Sequence, residues 1–251
     1  MGVGQMIHYH GTPFTPNADM IKSFTAKHCM VSFERPDQME IAAEVCQSVV
    51  LDNGAFSAWR QGKQYDFSGY VEWASLWVRH PAVDWCIIPD VIDGSEADND
   101  ALMSDWPLPP HCSVPVWHLH ESLDRLERLL RYPRIALGSS GQYASVGTKD
   151  WWVRIVEAME VVCDIDGFPI SKLHGLRMLD PTVFSKLPFS SADSCYVARN
   201  SGIDSNWKGP YAMTGRYSRA VVLMERIERH ASAARWNRDG AEMYQNLELF
   251  G

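Results

Sequence analysis

Three aspartates stand at the ends of short apolar runs, and that repeated placement is the clearest sign of chemistry in this chain. Asp193 closes Phe189-Ser-Ser-Ala-Asp193, with Arg199, Asn200 and Gly202 soon after it. Asp52 stands in Val49-Val-Leu-Asp-Asn-Gly-Ala-Phe56, and Asp90 in Cys86-Ile-Ile-Pro-Asp-Val91. Carboxylates at the C-terminal ends of parallel barrel strands point into one shared mouth. Two or three of them together suit chemistry at a sugar carbon, one attacking and another moving a proton. The apolar run before Asp52 would leave it half-buried, with a pKa raised toward a useful acid/base value. The other reading of Asp52 is a turn former ahead of Asn53-Gly54. Asp90 is either a helix N-cap before Asp93-Gly94 or an acceptor of two hydrogen bonds from an amidine-like base edge. Asp193 follows Ser190-Ser191-Ala192, small residues that leave space above a barrel, although it could instead cap the loop that follows.

Histidines offer a second chemistry. His118-Leu119-His120 would set both imidazoles on one face of a strand, because strand side chains alternate. That spacing suits a metal, and His174 with Asp193 could complete the ligand set. The alternative is a set of pocket or core histidines with satisfied hydrogen bonds. His10 also falls at a strand end. Gly138-Ser-Ser-Gly141 could cradle a phosphate through backbone N–H groups, or Gly138 could let a flat ligand approach the backbone. Trp59, Trp117 and Trp207 fall near expected mouth loops, where an indole could stack on a base.

The elements that would position these residues are legible. Eight short apolar runs read as strands: Ile7–Gly11, Cys29–Phe33, Val49–Phe56, Cys86–Val91, Val114–His120, Ile135–Ser139, Lys172–Leu176 and Phe189–Ser194. Their near-continuous hydrophobicity fits parallel strands covered on both faces. Helical periodicity marks Pro36–Gln47, Asp66–Arg79, Glu121–Arg131, Asp150–Asp164 and a final helix over about Ser218–Trp236. The connection Thr12–His28 carries only a weak helix. Strand and helix alternating eight times predict an α/β fold, a single (β/α)8 barrel of the TIM type with a C-terminal helix. Residues 199–217, rich in Gly, Ser and Asn, read as a long loop at the barrel mouth.

Composition sets further bounds. The chain has 251 residues, 46% of them hydrophobic, enough for a sizeable core. No apolar stretch approaches the roughly 20 residues that span a bilayer, and no secretory signal is visible. The six cysteines form no Cys-x-x-Cys pair, which argues against a zinc site or a disulfide scaffold and for reduced thiols in a cytoplasm. A net charge of −8 opposes nucleic-acid binding, but the charge is polarised. Residues 199–238 hold eight Lys/Arg against three acids, a local +5, so the rest carries −13. Between Arg79 and Arg125 acids crowd in and no Lys or Arg occurs. One basic face could therefore meet a phosphate backbone, or it could be a solvated helix surface. The acidic stretch Asp84–Asp105 could be a partner surface.

The ordered motifs from Leu51 to Gly202 resemble the tRNA-guanine transglycosylase superfamily, and most closely its shorter phage and bacterial members that insert 7-deazaguanines into DNA. Leu51-Asp-Asn-Gly-Ala-Phe56 looks like the family's Asp-Ser-Gly-Gly-Phe segment, so Asp52 inherits acid/base work. Pro89-Asp-Val91 is similar to the segment whose aspartate reads the base edge. Ile135-Ala-Leu-Gly-Ser139 looks like the family's Gly-Leu-Ala-Val-Gly strand end, which puts Gly138 against the base. Lys172-Leu-His-Gly175 resembles the His-containing seventh-strand segment. Asp193-Ser-Cys-Tyr-Val-Ala-Arg-Asn-Ser-Gly202 resembles Asp-Cys-Val-x-Pro-Thr-Arg-Asn-Gly, whose aspartate is the nucleophile, and this match is the most specific. The family's Cys-x-Cys-x-x-Cys…His zinc site is missing, and Pro115-Val-Trp-His-Leu-His120 replaces its usual glutamine-glycine pattern. The first departure argues against tRNA as substrate and leaves DNA, or a smaller nucleoside, open; the second bears on base selectivity.

The resemblance implies one transglycosylase-like barrel domain over residues 1–251, with about 199–251 forming a basic loop and helix. It implies a double displacement: Asp193 attacks C1′, guanine leaves with a proton from Asp52, and a 7-deazaguanine then displaces Asp193. Asp193 and Asp52 would be catalytic. Asp90, Gly138, His118, His120, His174, Arg199 and Asn200 would bind substrate. No metal or redox cofactor is required, the partners are nucleic acid and a free deazaguanine, and the setting is the cytoplasm of a bacterial or phage-infected cell. The competing expectations are a metal-dependent barrel hydrolase built on His118, His120, His174 and Asp193, and a nucleic-acid-binding barrel without activity.

Overall fold

A computed structural model describes residues 6–203 and 215–238. Trp207 and Lys208, and most of the loop expected over 199–217, lie outside the described residues. Nine strands form one all-parallel sheet: β1 (Ile7–Gly11), β2 (His28–Ser32), β3 (Ser48–Asp52), β4 (Val83–Ile87), β5 (Ser113–Val114), β6 (Val116–His118), β7 (Arg134–Gly138), β8 (Lys172–Gly175) and β9 (Ser191–Ser194). Their order is β5-β4-β3-β2-β1-β9-β8-β7-β6. The two end strands are halves of one run, split at Pro115, which has no N–H to place in a ladder. β5 pairs with β4 and β6 with β7, and Pro115 O accepts from Ala136 N–H at 2.9 Å. The eight expected strands therefore close into a (β/α)8 barrel, which leaves no sheet edge unpaired.

Ten helices are described: α1 (Asn17–Phe24), α2 (Met39–Val45), α3 (Ala55–Arg60), α4 (Phe67–Trp77), α5 (Glu96–Asp105), α6 (Leu123–Leu129), α7 (Lys149–Val162), α8 (Pro181–Phe184), α9 (Tyr196–Asn200) and α10 (Arg216–Glu228). The main core lies between helices and barrel, with Leu126, Leu129, Ile155, Met159 and Phe184 among its buried members. A smaller cluster of Tyr9, Met30, Val50, Trp85, Ile87, Val114, Val116 and Ala136 fills the barrel interior. The barrel interior is thus packed at this level. All six cysteines are free thiols. Among the described residues no helix is long and apolar enough to cross a membrane.

Several boundaries differ from the sequence expectation, each for a physical reason. The run Val49–Phe56 stops being a strand at Asp52, because Gly54 turns the chain at φ +79° and α3 starts at Ala55. His10 faces out of the barrel rather than into its mouth, with Nε2 3.0 Å from Glu228 of α10. The last helix ends at Glu228, not near Trp236. The Trp236 indole is buried, and its backbone N–H donates to Gly167 O at 2.8 Å, which pulls the chain back across α7.

The acidic stretch is largely consumed by the fold. Ser95 and Asp98 form a capping box at the start of α5. Asp84, itself exposed, accepts from the buried Tyr9 hydroxyl at 2.6 Å. Asp100 accepts from Arg125 Nε at 3.0 Å. Glu121 and Arg125 form an ion pair at 2.7 Å with both side chains 1% exposed. The same Glu121 accepts from the His118 backbone N–H at 2.8 Å and from Asn99 Nδ2 at 2.8 Å. Asn99 in turn accepts from Val91 N–H at 2.7 Å. This buried network ties the end of β6 to the segment carrying Asp90. Removing only one charge strands the other in a dry interior. Arg125→Leu is expected to lower stability by about 3–5 kcal/mol in urea unfolding, with most of it recovered in the double variant Glu121→Gln/Arg125→Leu. A single variant as stable as the parent would contradict this role.

Candidate active site

A cavity of about 500 Å³ opens above the interior layer, at the C-terminal ends of the strands. Asp52, Asp90 and Asp193 all line it, together with His118, Gly138 and Arg199. The three carboxylates named from the sequence therefore share one mouth.

Asp193 is the third residue of β9, 4% exposed, where the small side chains of Ser191 and Ala192 leave room for its neighbours. Its Oδ1 accepts from the Arg177 backbone N–H at 2.9 Å and lies 3.3 Å from His174 Nε2. Among the described residues no hydrogen bond reaches its Oδ2. His174 sits beneath, fully buried, with Nδ1 2.9 Å from the Ser191 hydroxyl. Burial lowers the His174 pKa below 6.5, and Asp193 only partly opposes this, so the ring is neutral at neutral pH. One oxygen of Asp193 is therefore held by fixed donors while the other is left for the cavity.

Asp52 ends β3 and accepts from Gly54 N–H at 3.2 Å. Burial pushes its pKa up to about 6, and the charges of Asp193 and Asp90 push in the same direction. Such a group can give or take a proton near neutrality. Asp90 follows β4 with both oxygens engaged: Oδ1 accepts from Asn53 Nδ2 at 2.6 Å, and Oδ2 is 2.7 Å from His118 Nε2. Asn53 also donates to Ile88 O at 3.0 Å and accepts from Ala55 N–H at 2.8 Å, which locks it between β3 and β4. Gly138 is required by packing, since a Cβ there would stand 3.0 Å from His118 Nδ1 and 3.1 Å from Val116 Cγ1.

Other expected binding residues fall elsewhere. His120 lies beyond the end of β6, exposed and outside the cavity, because the chain turns after His118. Its ring stacks on His118 with centroids 5.6 Å apart. Asn200 donates to Tyr196 O at 2.9 Å within α9 and does not line the cavity. His174 supports Asp193 from below rather than facing the ligand space. Trp117 is buried, with Nε1 donating to Ser122 O at 2.9 Å, and Trp59 is exposed but away from the cavity. His118 Nε2 and His174 Nε2 each face a different aspartate and His120 turns away, so the four residues of the hydrolase expectation do not form one ligand set. Among the described residues no cluster of His, Cys, Asp or Glu could hold a metal.

Arg177 was not expected from the sequence. It follows β8 with φ +59°, a left-handed conformation uncommon for arginine, and this turn is what presents its N–H to Asp193. Its guanidinium stands 3.8 Å from the centroid of the Phe56 ring and donates to Ser139 O. The available signal was a cation two residues past a strand end. Arg35 and Arg199 line the same cavity, as does Glu34, so three guanidinium-bearing residues stand among four carboxylates.

No family model matches the chain, and no curated protein matches it. Among solved structures, the chain is similar to a protein of Aquifex aeolicus VF5 solved in a structural study. The identity is 10%, the TM-score 0.51, and the alignment covers 93% of this chain and 94% of that one. It is also similar to a mutant tryptophan synthase alpha-subunit from Pyrococcus furiosus, at 11% identity and TM-score 0.48, over 90% of this chain and 97% of that one. At these identities the likeness shows the fold alone. The protein is an α/β barrel of the TIM type.

The Asp52 environment carries a pH signature. Its pKa of about 6 in the folded chain exceeds the roughly 3.9 of an unfolded aspartate. The folded state thus holds the extra proton between these values, and the stability this confers is lost as pH rises through about 6. Asp52→Asn is expected to be more stable than the parent above about pH 7, by on the order of 1–2 kcal/mol, with the difference vanishing below about pH 4. Thermal melts across pH check this. An equal or lower melting temperature for the variant at alkaline pH would contradict the raised pKa.

Proposed function

We propose that this protein is a base-exchange glycosyltransferase. It replaces guanine in nucleic acid, DNA rather than tRNA, by a 7-deazaguanine through a covalent aspartyl-glycosyl intermediate. The observation that carries the reading is the state of Asp193. One oxygen is pinned by the Arg177 N–H and His174, the other has no hydrogen-bond partner among the described residues, and both sit in a cavity shared with an acid of about 6 at Asp52. A nucleophilic carboxylate needs a free lone pair aimed at the anomeric carbon, and a nearby group to protonate the leaving base.

In the first half, Asp193 Oδ2 bonds to C1′ as the C1′–N9 bond breaks, and the departing guanine takes the proton of Asp52. In the second, the incoming base returns a proton to Asp52 and attacks C1′, expelling the aspartate. Two displacements give net retention. Asp90, held by Asn53 and His118, presents acceptor oxygens to the N–H groups of the base edge. Gly138 keeps the cavity wall low beside His118. Arg35, Arg177 and Arg199 offer charge to the flanking phosphates. In a duplex the target nucleotide is flipped out to reach the cavity. The order of motifs resembling the tRNA-guanine transglycosylase superfamily, and most closely its DNA-modifying members, supports the same assignment.

Labelled guanine provides an assay that does not require knowing the incoming base. The parent protein is expected to incorporate label into guanine-containing DNA and to leave tRNA unlabelled. Asp193→Asn abolishes incorporation, and Asp52→Asn slows it by roughly 10²–10⁴-fold. A parent protein that labels no nucleic acid would overturn the reading.

A further inference from the structure

A column of polar side chains runs down from Asp193 through the barrel interior, and the exchange chemistry leaves its lower half unused. Ser191 and Asp193 stand two apart on β9 and face the same side, and His174 of β8 is level with Ser191. His174 Nε2 is 3.3 Å from Asp193 Oδ1, and its Nδ1 is 2.9 Å from the Ser191 hydroxyl. Arg134, the first residue of β7, reaches beneath both strands. Its Nη1 donates to Ser190 Oγ at 2.8 Å and to Ser191 Oγ at 3.1 Å. The guanidinium lies over the Trp85 ring, 5.2 Å from its centroid, and that ring meets His174 nearly at right angles with centroids 4.9 Å apart. His174 and Ser191 are fully buried and Trp85 nearly so, which closes the Ser191–His174 contact to bulk water.

Counting donors and acceptors gives the column a direction. A guanidinium only donates and a carboxylate only accepts. The two hydrogens on Arg134 Nη1 go to the two serines, so Ser191 Oγ accepts there. Ser190 turns its own hydrogen to Leu173 O at 2.9 Å. Ser191 keeps one hydrogen to give, and among the described residues its other partner is His174 Nδ1. Nδ1 therefore accepts, and the neutral ring carries its proton on Nε2, facing Asp193 Oδ1. Hydrogen bonds aligned in one direction strengthen one another in a dry interior. We propose that Arg134 is a positioning residue for the nucleophile. By holding Ser191 as a donor, it aligns the His174 ring on Asp193 Oδ1 and leaves Oδ2 turned to the cavity. The role of Asp193 rests on the base-exchange reading, whereas the direction of the column follows from the hydrogen bonds alone. No proton moves along it, and no bond in it forms or breaks during exchange.

Nitrogen magnetic resonance of the full chain, carrying ring-labelled histidine near neutral pH, reads both nitrogens of His174. Its signals are those lost in His174→Gln. The parent is expected to show a protonated Nε2 and an Nδ1 that accepts a hydrogen bond. Ser191→Ala removes one buried hydroxyl and gives the signal of an Nδ1 without a donor. In Arg134→Met the Nδ1 signal moves toward that value, and in Arg134→Lys, which keeps a cation that only donates, it returns toward the parent. For incorporation of labelled guanine, kcat is expected to fall about tenfold in Ser191→Ala and Arg134→Met, with KM for DNA changed by less than about twofold, because neither residue lines the cavity. Ser191→Ala carries the kinetic test should Arg134→Met fail to fold. A parent with its proton on Nδ1, or an Nδ1 signal that Arg134→Met leaves in place, overturns the assignment. A moved signal with unchanged kcat overturns the positioning role while the base-exchange reading stands. The expected signals in a protein that labels no nucleic acid keep the hold of Arg134 on His174 and reject the base-exchange reading.

Discussion

Three aspartates confined to one small cavity, with Glu34 also on its wall, are the constraint on which the rest of the structure depends. Like charges in a poorly hydrated space repel, and a barrel has little means of spreading them apart. The chain answers with a different device at each position. Asp193 is held by the Arg177 N–H and a neutral His174. Asp90 is spanned by Asn53 and His118. Asp52 has the fewest partners, and it carries the remaining cost as a pKa of about 6. The proposed roles, attack for the first, recognition for the second and proton transfer for the third, are matched to that division.

The barrel makes this arrangement rigid. Closure through a strand split at Pro115 brings β6 beside β7, so that His118 can lie over Gly138 and reach Asp90. The buried Glu121–Arg125 pair then fixes the backbone of His118 from behind. Beneath the cavity the interior is filled by apolar side chains, which keeps the polar groups in one layer at the top. Support and chemistry are thus separated by height along the barrel, as expected where loops at one face carry function.

Much of this was legible in the sequence because it depends on local pattern. Eight apolar runs in order gave the strands, and an aspartate at the end of a run has few places to point other than the mouth. What was hidden depends on phase, turns or distant partners. His10 lies in a correctly read strand but on its outer face, and only the partner Glu228 reveals which phase holds. His120 was assigned to a strand that ends two residues earlier. Helix α5 was missed because its sequence, rich in Asp and Asn, has no apolar periodicity, and a capping box with ion pairs to α6 holds it instead. Arg177 contributes a backbone N–H through a left-handed turn, and no residue pattern encodes that donation to a residue sixteen positions on.

The central claim is that the free oxygen of Asp193 forms a bond to a sugar carbon. The most direct measurement is mass spectrometry of protein denatured during exchange with guanine-containing DNA, followed by digestion and location of the added sugar. The account predicts a glycosyl mass on the peptide containing Asp193, absent in Asp193→Asn. An adduct on Asp52 or Asp90, or none while guanine is being exchanged, would contradict it.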